Sequence, residues 1–101
     1  MSENLLNLVN IIRDRKYKDE DKSYTSSLLS GGLSKCIDKM EEEFSELKEA
    51  LNDKSNVVHE AADTIYHILV TLEAANIKFE DVLKELEDRK KQSGIEEKNN
   101  R

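Results

Sequence analysis

The chain has 101 residues, 37% of them hydrophobic and 38% charged, with no Pro, no Trp and three Gly. That length corresponds to a single domain over residues 1–101, and so few turn-forming residues exclude a many-turned β-sandwich or barrel. A net charge of −6, from 16 Lys+Arg against 22 Asp+Glu, argues against nucleic acid or an anionic membrane as partner, and a single cysteine, Cys36, excludes an intramolecular disulfide.

The abundance of Leu, Ile, Lys, Glu and Ala points to helices. Residues 3 to about 17 form the first, with Leu5, Leu6, Leu8, Val9 and Ile12 at spacings of three and four behind an N-cap at Ser2. The start of the chain has no positive leader segment, and its longest apolar run, Ile68-Leu69-Val70, is far too short to span a bilayer. The expectation is a cytoplasmic protein with neither membrane nor nucleic acid as partner. Lys18 to Lys22 is all charged and reads as a loop. Ser23-Tyr24-Thr25 opens a short helical segment that stops at Gly31-Gly32.

A long helix follows from about Leu33 to Leu51. Its Leu33, Cys36, Ile37, Met40, Phe44, Leu47 and Leu51 fall within a stripe roughly 100° wide, the seam expected to be buried. Asn52-Asp53-Lys54-Ser55 breaks it. The next helix, from about Asn56 to Ala75, is apolar over half its circumference and is expected to be central and mostly buried. Between Ser55 and Ile77 it carries no Lys or Arg. The last helix starts near Phe79 and ends before Gly94, with Glu80 and Asp81 suited to its N-terminus and Ile77 and Val82 spaced as a hydrophobic staple. So small an apolar fraction in so short a chain favours association with a second copy.

The carboxylates carry the chemistry. On the long helix Glu43 lies nearest the apolar seam, with Glu46 one turn along and Lys39 and Glu42 in the same sector. On the following helix the polar stripe is narrow and holds Asn56, Glu60, Asp63, Thr64, His67 and Thr71. Glu60 and Asp63, three apart, are neighbours on one face. Packing the two helices together brings four carboxylates close, which opposes ionisation and costs desolvation. A divalent cation with hard oxygen ligands, Mg²⁺ or Mn²⁺, resolves this and points to phosphate chemistry. A solvated helix face is the better account of Glu41-Glu42-Glu43 taken alone, and accounts less readily for Glu60 and Asp63. His59 falls at the margin of the apolar arc and reads as packing or surface. His67 reads as support for Asp63, whether behind a metal or as a plain hydrogen-bonded neighbour. Cys36 and Tyr66 read as core.

The pattern Glu42-Glu43-x-x-Glu46, thirteen intervening residues, then Glu60-x-x-Asp63, resembles the signature of the all-α MazG-type nucleotide pyrophosphatases. Its flanks sharpen the likeness. Ser23-Tyr24-Thr25, Leu28, Gly32, Lys35 and Lys39 resemble the opening of the phosphoribosyl-ATP pyrophosphatase family. Glu60-Ala61-Ala62-Asp63-Thr64-Ile65-Tyr66-His67 resembles that family's metal helix. The run Glu80-Asp81-Val82-Leu83-x-Glu85-Leu86-x-x-Arg89 and the tail Ser93-Gly94-Ile95-Glu96-Glu97-Lys98 resemble its closing segment. The chain departs from the family at Glu41, where Gly is usual, at Phe44, where a small residue is usual, and at Lys78, where a Ser-type cap is common.

The resemblance implies a four-helix-type, typically homodimeric hydrolase that is Mg²⁺-dependent. It would convert phosphoribosyl-ATP and water to phosphoribosyl-AMP and pyrophosphate, the second step of histidine biosynthesis. Carried onto this sequence, Glu43, Glu46, Glu60 and Asp63 hold the metal, and Glu42 or Glu46 orients or deprotonates the attacking water. Lys35 and Lys39 face phosphates, unless they are a solvated face with Lys39 paired to Glu43. Ser23, Tyr24, Thr25, Arg89 and Lys98 close the substrate pocket, unless they serve as caps and surface ion pairs. The rival readings are a MazG-type housekeeping pyrophosphatase of other nucleoside triphosphates and a non-catalytic helical dimerisation module.

Overall fold

The computed structural model of the protein describes residues 2–16 and 23–90. The expected loop Lys18–Lys22 and the tail from Ser93, with Lys98, lie outside the described residues. The fold is all-α, as the composition requires, with five helices and no strand among the described residues: α1 (Ser2–Arg15), α2 (Tyr24–Ser30), α3 (Gly32–Asp53), α4 (Val57–Ala74) and α5 (Phe79–Arg89). Each lies within a few residues of its expected span. None of them is long and apolar enough to cross a membrane.

Local chemistry sets the ends. The Ser23 hydroxyl caps α2 by accepting the Ser26 N–H at 3.2 Å. Gly31 closes α2 and opens α3 at once, and Gly32 takes φ +89°, a conformation that requires glycine at this sharp junction. Between α3 and α4 the chain reverses in three residues. It does so by placing both Lys54 (φ 56°) and Asn56 (φ 57°) in the left-handed region. The result is a tight antiparallel α3–α4 hairpin, the most extensive helix pairing of the molecule.

The core gathers one or two residues from every helix: Val9 and Ile12 of α1, Leu28 of α2, Cys36 of α3, Leu69 and Val70 of α4, Phe79 of α5. Arg13 then ties α1 to the far end of α4 and to α5. Its two terminal nitrogens grip Glu80, one at 2.9 Å, and its Nε reaches Glu73 at 3.4 Å. The Arg13 hydrogen bond pushes the Glu80 carboxyl down to about 2.

Two expectations about burial are corrected. The apolar seam of α3 is not the buried face. Only Cys36 of that set is fully buried, while Leu33, Ile37, Phe44 and Leu51 are 36–56% exposed. The arc that packs on α4 is turned toward Ala50 and Glu43. Nor is α4 mostly buried. Its polar residues Thr64, His67 and Thr71 are interior, whereas Val58 is 84% and Ile65 50% exposed. The physical reason is the close α3–α4 approach, which favours short hydroxyl side chains that bond to backbone over large branched ones. By helical angle, the exposed apolar residues of α3 and α4 lie on one side of the hairpin, and the carboxylates on the other. At α5, Val82 packs on the core, but Ile77 is 47% exposed and lines a surface hollow with Arg13, Glu73, Asn76 and Lys78.

Candidate active site

The site is built on the inner turns of the α3–α4 hairpin. Two threonines bring the helices together. The Thr71 hydroxyl reaches the carbonyls of His67 (2.7 Å) on its own helix and Cys36 (3.3 Å) on α3. The Thr64 hydroxyl does the same with Glu60 (2.7 Å) and Glu43 (3.2 Å). Backbone acceptors thus satisfy polar groups that are costly to bury alone. The Thr64 contact also places the Glu43 turn against the Glu60 turn, so their carboxylates are held face to face.

Ligand oxygens of Glu43, Glu46 and Glu60 lie within 4.8 Å of one another. A second group, His59, Glu60 and Asp63, does likewise and shares Glu60 with the first. Asp63 shares Glu60 with the first group, and its charge also acts on Glu43 of α3. Its Oδ2 stands 3.2 Å from His59 Nε2. Glu43 Oε2 and Glu60 Oε2 are buried without any hydrogen-bond partner. Burial pushes both carboxyls up from their ordinary values, and Glu46 adds to each shift through its charge and by hydrogen bonding. Buried anionic oxygens with no donor, beside further carboxylates, form a donor set suited to a hard divalent cation.

The remaining sequence-predicted residues fall into distinct places. Glu42 belongs to neither group and faces Lys39, whose Nζ is 3.3 Å from its Oε2; this pair replaces the expected Lys39–Glu43 contact. Lys35 is exposed, and its stem lies over Gly31. The three residues that open α2 differ in orientation. Ser23 caps the helix, and Thr25, 2% exposed, hydrogen-bonds the Tyr66 hydroxyl inside the protein. Tyr24 is 58% exposed and sits beside His67. Burial raises the Tyr24 hydroxyl above its ordinary value; Lys39 opposes this, and Glu43, Glu42 and Asp63 reinforce it. Arg89 pairs with Glu85 one turn back on α5, and Lys98 lies outside the described residues.

His59 is exposed, one of the two places its sequence position allows, and its spacing of four from Asp63 puts its ring beside that carboxylate. Sequence reasoning read Tyr66 as simple packing, whereas the hydroxyl anchors α2 through Thr25.

The chain is similar to known proteins over most of its length. The family model for phosphoribosyl-ATP pyrophosphohydrolase matches residues 5–90, which include every residue of both carboxylate groups. Proteins named phosphoribosyl-ATP pyrophosphatase are similar over most of their lengths. That of Rhizobium etli is 41% identical over 96% of this chain and 92% of its own. That of Roseobacter denitrificans is 45% identical over 89% and 88%, and that of Paracoccus denitrificans 42% identical over 93% and 89%. An all-α hairpin carrying this carboxylate cluster, matched over nearly the full chain, makes the protein a member of the phosphoribosyl-ATP pyrophosphohydrolase family of hydrolases.

Proposed function

We propose that this chain hydrolyses phosphoribosyl-ATP to phosphoribosyl-AMP and pyrophosphate, the second step of histidine biosynthesis, with Mg²⁺ held by Glu43, Glu46, Glu60 and Asp63. Mn²⁺ suits the same oxygen donors. The observation that carries this reading is the pair of buried, unpartnered oxygens on Glu43 and Glu60. Four carboxylates without a cation of their own are a liability in an apoprotein and an asset around a metal.

When bound, Mg²⁺ supplies positive charge for the triphosphate oxygens and for the charge that grows on the pyrophosphate leaving group. The chain's own residues do the rest. Glu46 is the exposed member of its group, so a water molecule reaches it, and it accepts the proton that water gives up on attacking phosphorus. Lys39, beside Tyr24 and Glu42, offers an ammonium to the phosphate chain, and Lys35 one turn earlier extends that positive edge. Tyr24 presents the exposed ring at the same mouth.

The reading includes a cytoplasmic homodimer. Leu33, Ile37, Phe44 and Leu51 of α3 and Val58 and Ile65 of α4 form an exposed apolar surface on the side of the hairpin away from the carboxylates. A patch of this kind supports a subunit interface.

The test is pyrophosphate release from phosphoribosyl-ATP, ATP and dCTP, each with Mg²⁺ and with EDTA. Mg²⁺-dependent turnover of phosphoribosyl-ATP alone is expected. Turnover of the plain triphosphates instead would assign a housekeeping pyrophosphatase, and silence on all three a non-catalytic module.

A further inference from the structure

His67 is 5% exposed, and no step above uses it. Its ring is held from both sides. Nδ1 is 2.9 Å from the Asp63 carbonyl oxygen, and Nε2 is 3.2 Å from the Tyr24 hydroxyl. The rings of Tyr24 and Tyr66 both stand edge-on to it, with centroids 5.9 and 5.8 Å away. A carbonyl oxygen only accepts, so Nδ1 must carry the proton. In the neutral ring Nε2 then holds a lone pair, and the Tyr24 hydroxyl is the donor. The Tyr24 hydroxyl has one proton, and its hydrogen bond to His67 uses it. What the hydroxyl still offers to a ligand is its oxygen, an acceptor. Phosphate oxygens are acceptors too and do not match it, whereas sugar hydroxyls are donors and do.

We propose that His67 is a positioning residue that fixes the Tyr24 hydroxyl as an acceptor for a ribose hydroxyl of the substrate at the mouth of the carboxylate cluster. The proposal rests on the nucleotide-hydrolase reading above and deepens it. Asp63 thereby has two roles in one turn of α4: its side chain joins the carboxylates, while its backbone carbonyl sets the tautomer of His67. Of the three residues at the α2 opening Tyr24 is the one left 58% exposed to meet a ligand, because the Ser23 and Thr25 hydroxyls are occupied in holding α2.

The experiment compares wild type, Tyr24→Phe, His67→Leu, His67→Gln and the Tyr24→Phe/His67→Leu double variant on phosphoribosyl-ATP with Mg²⁺. A contact made equally in ground and transition states moves KM and leaves kcat. Tyr24→Phe and His67→Leu should each raise KM about five- to tenfold, the worth of one hydrogen bond, and the double variant no further. Gln places its amide oxygen near the Nε2 position, so His67→Gln should restore most of the affinity. A loss of folding alone would not be rescued by Gln and would multiply in the double variant. Inhibition by pyrophosphate, which has no sugar, should be unchanged in Tyr24→Phe. Weakened pyrophosphate inhibition would place Tyr24 on the phosphates and overturn the proposal, as would an unchanged KM or multiplying effects.

A second readout does not depend on turnover. Nitrogen NMR of the wild-type protein should show His67 with the proton on Nδ1, and its Nε2 signal should shift in Tyr24→Phe. A proton on Nε2 instead overturns the positioning role. An inactive wild type with the expected His67 spectrum would count against the substrate reading and leave the tyrosine–histidine pair standing.

Discussion

Glu43 on α3 and Glu60 on α4 face each other across the hairpin, each with one carboxylate oxygen buried and unpartnered. Their backbones are joined at the same level by the Thr64 hydroxyl, which sits 3.2 Å from the Glu43 carbonyl and 2.7 Å from that of Glu60. The helix pairing that holds the fold together is therefore the same contact that forces the two acids together.

Removing one of these charges should stabilise the apoprotein. Glu60→Gln relieves repulsion with Glu43 and Glu46, so its melting temperature in EDTA should exceed that of wild type. Wild type should gain stability on adding Mg²⁺, and Glu60→Gln should gain little. Melting curves of both proteins with Mg²⁺ and with EDTA check this, and an undiminished Mg²⁺ shift in the variant would remove Glu60 from the ligand set.

The pH dependence of the apoprotein follows from the same groups. Glu43 and Glu60 titrate above their ordinary value of 4.5 in the folded state. The folded chain takes up these protons before the unfolded chain does, so stability rises as pH falls from neutral toward 4.5. Glu80 is held down to about 2 by Arg13, so its contribution is present above 4.5 and is lost as pH falls from there to about 2. A plot of apoprotein melting temperature against pH should therefore pass through a maximum on the acid side of neutrality. Arg13→Leu should weaken the loss on the acid limb, and saturating Mg²⁺ should flatten the rise above it.

Lys54 adopts a left-handed conformation at the C-terminal cap of α3, where a side chain is strained and glycine is not. Lys54→Gly should stabilise the protein by about 1 kcal/mol, measured by urea unfolding. The gain should leave turnover unchanged, since Lys54 lies in the hairpin turn and belongs to neither carboxylate group.

The exposed apolar surface predicts the oligomeric state. Wild type should sediment as a dimer, and Ile65→Lys, which places a charge at a position 50% exposed in the single chain, should yield monomer. A variant that remains dimeric would move the interface off this side of the hairpin.

Much of the site was legible in the sequence. Spacings of three along a helix put Glu43 with Glu46 and Glu60 with Asp63, whatever else the chain does, because helical geometry is local. The break at Gly31-Gly32 was equally plain, and the expected break at Asn52 to Ser55 falls two residues later, because Asn52 and Asp53 stay helical and Lys54 caps α3. Which arc of α3 and α4 would turn inward was not plain. The α3 seam from Leu33 to Leu51 is mostly outside, and the polar stripe Thr64, His67 and Thr71 is inside. Apolar periodicity shows that a face avoids water without saying what covers it, this chain's own core or another surface. Only the tertiary structure decided that the hairpin closes on threonine hydroxyls and backbone carbonyls, that Asp63 and His59 share Glu60 with the α3 acids, and that His67 lies between the Tyr24 hydroxyl and the Asp63 carbonyl. Each of these joins residues far apart in sequence or fixes the direction of a side chain, and both are set by packing between helices rather than within one.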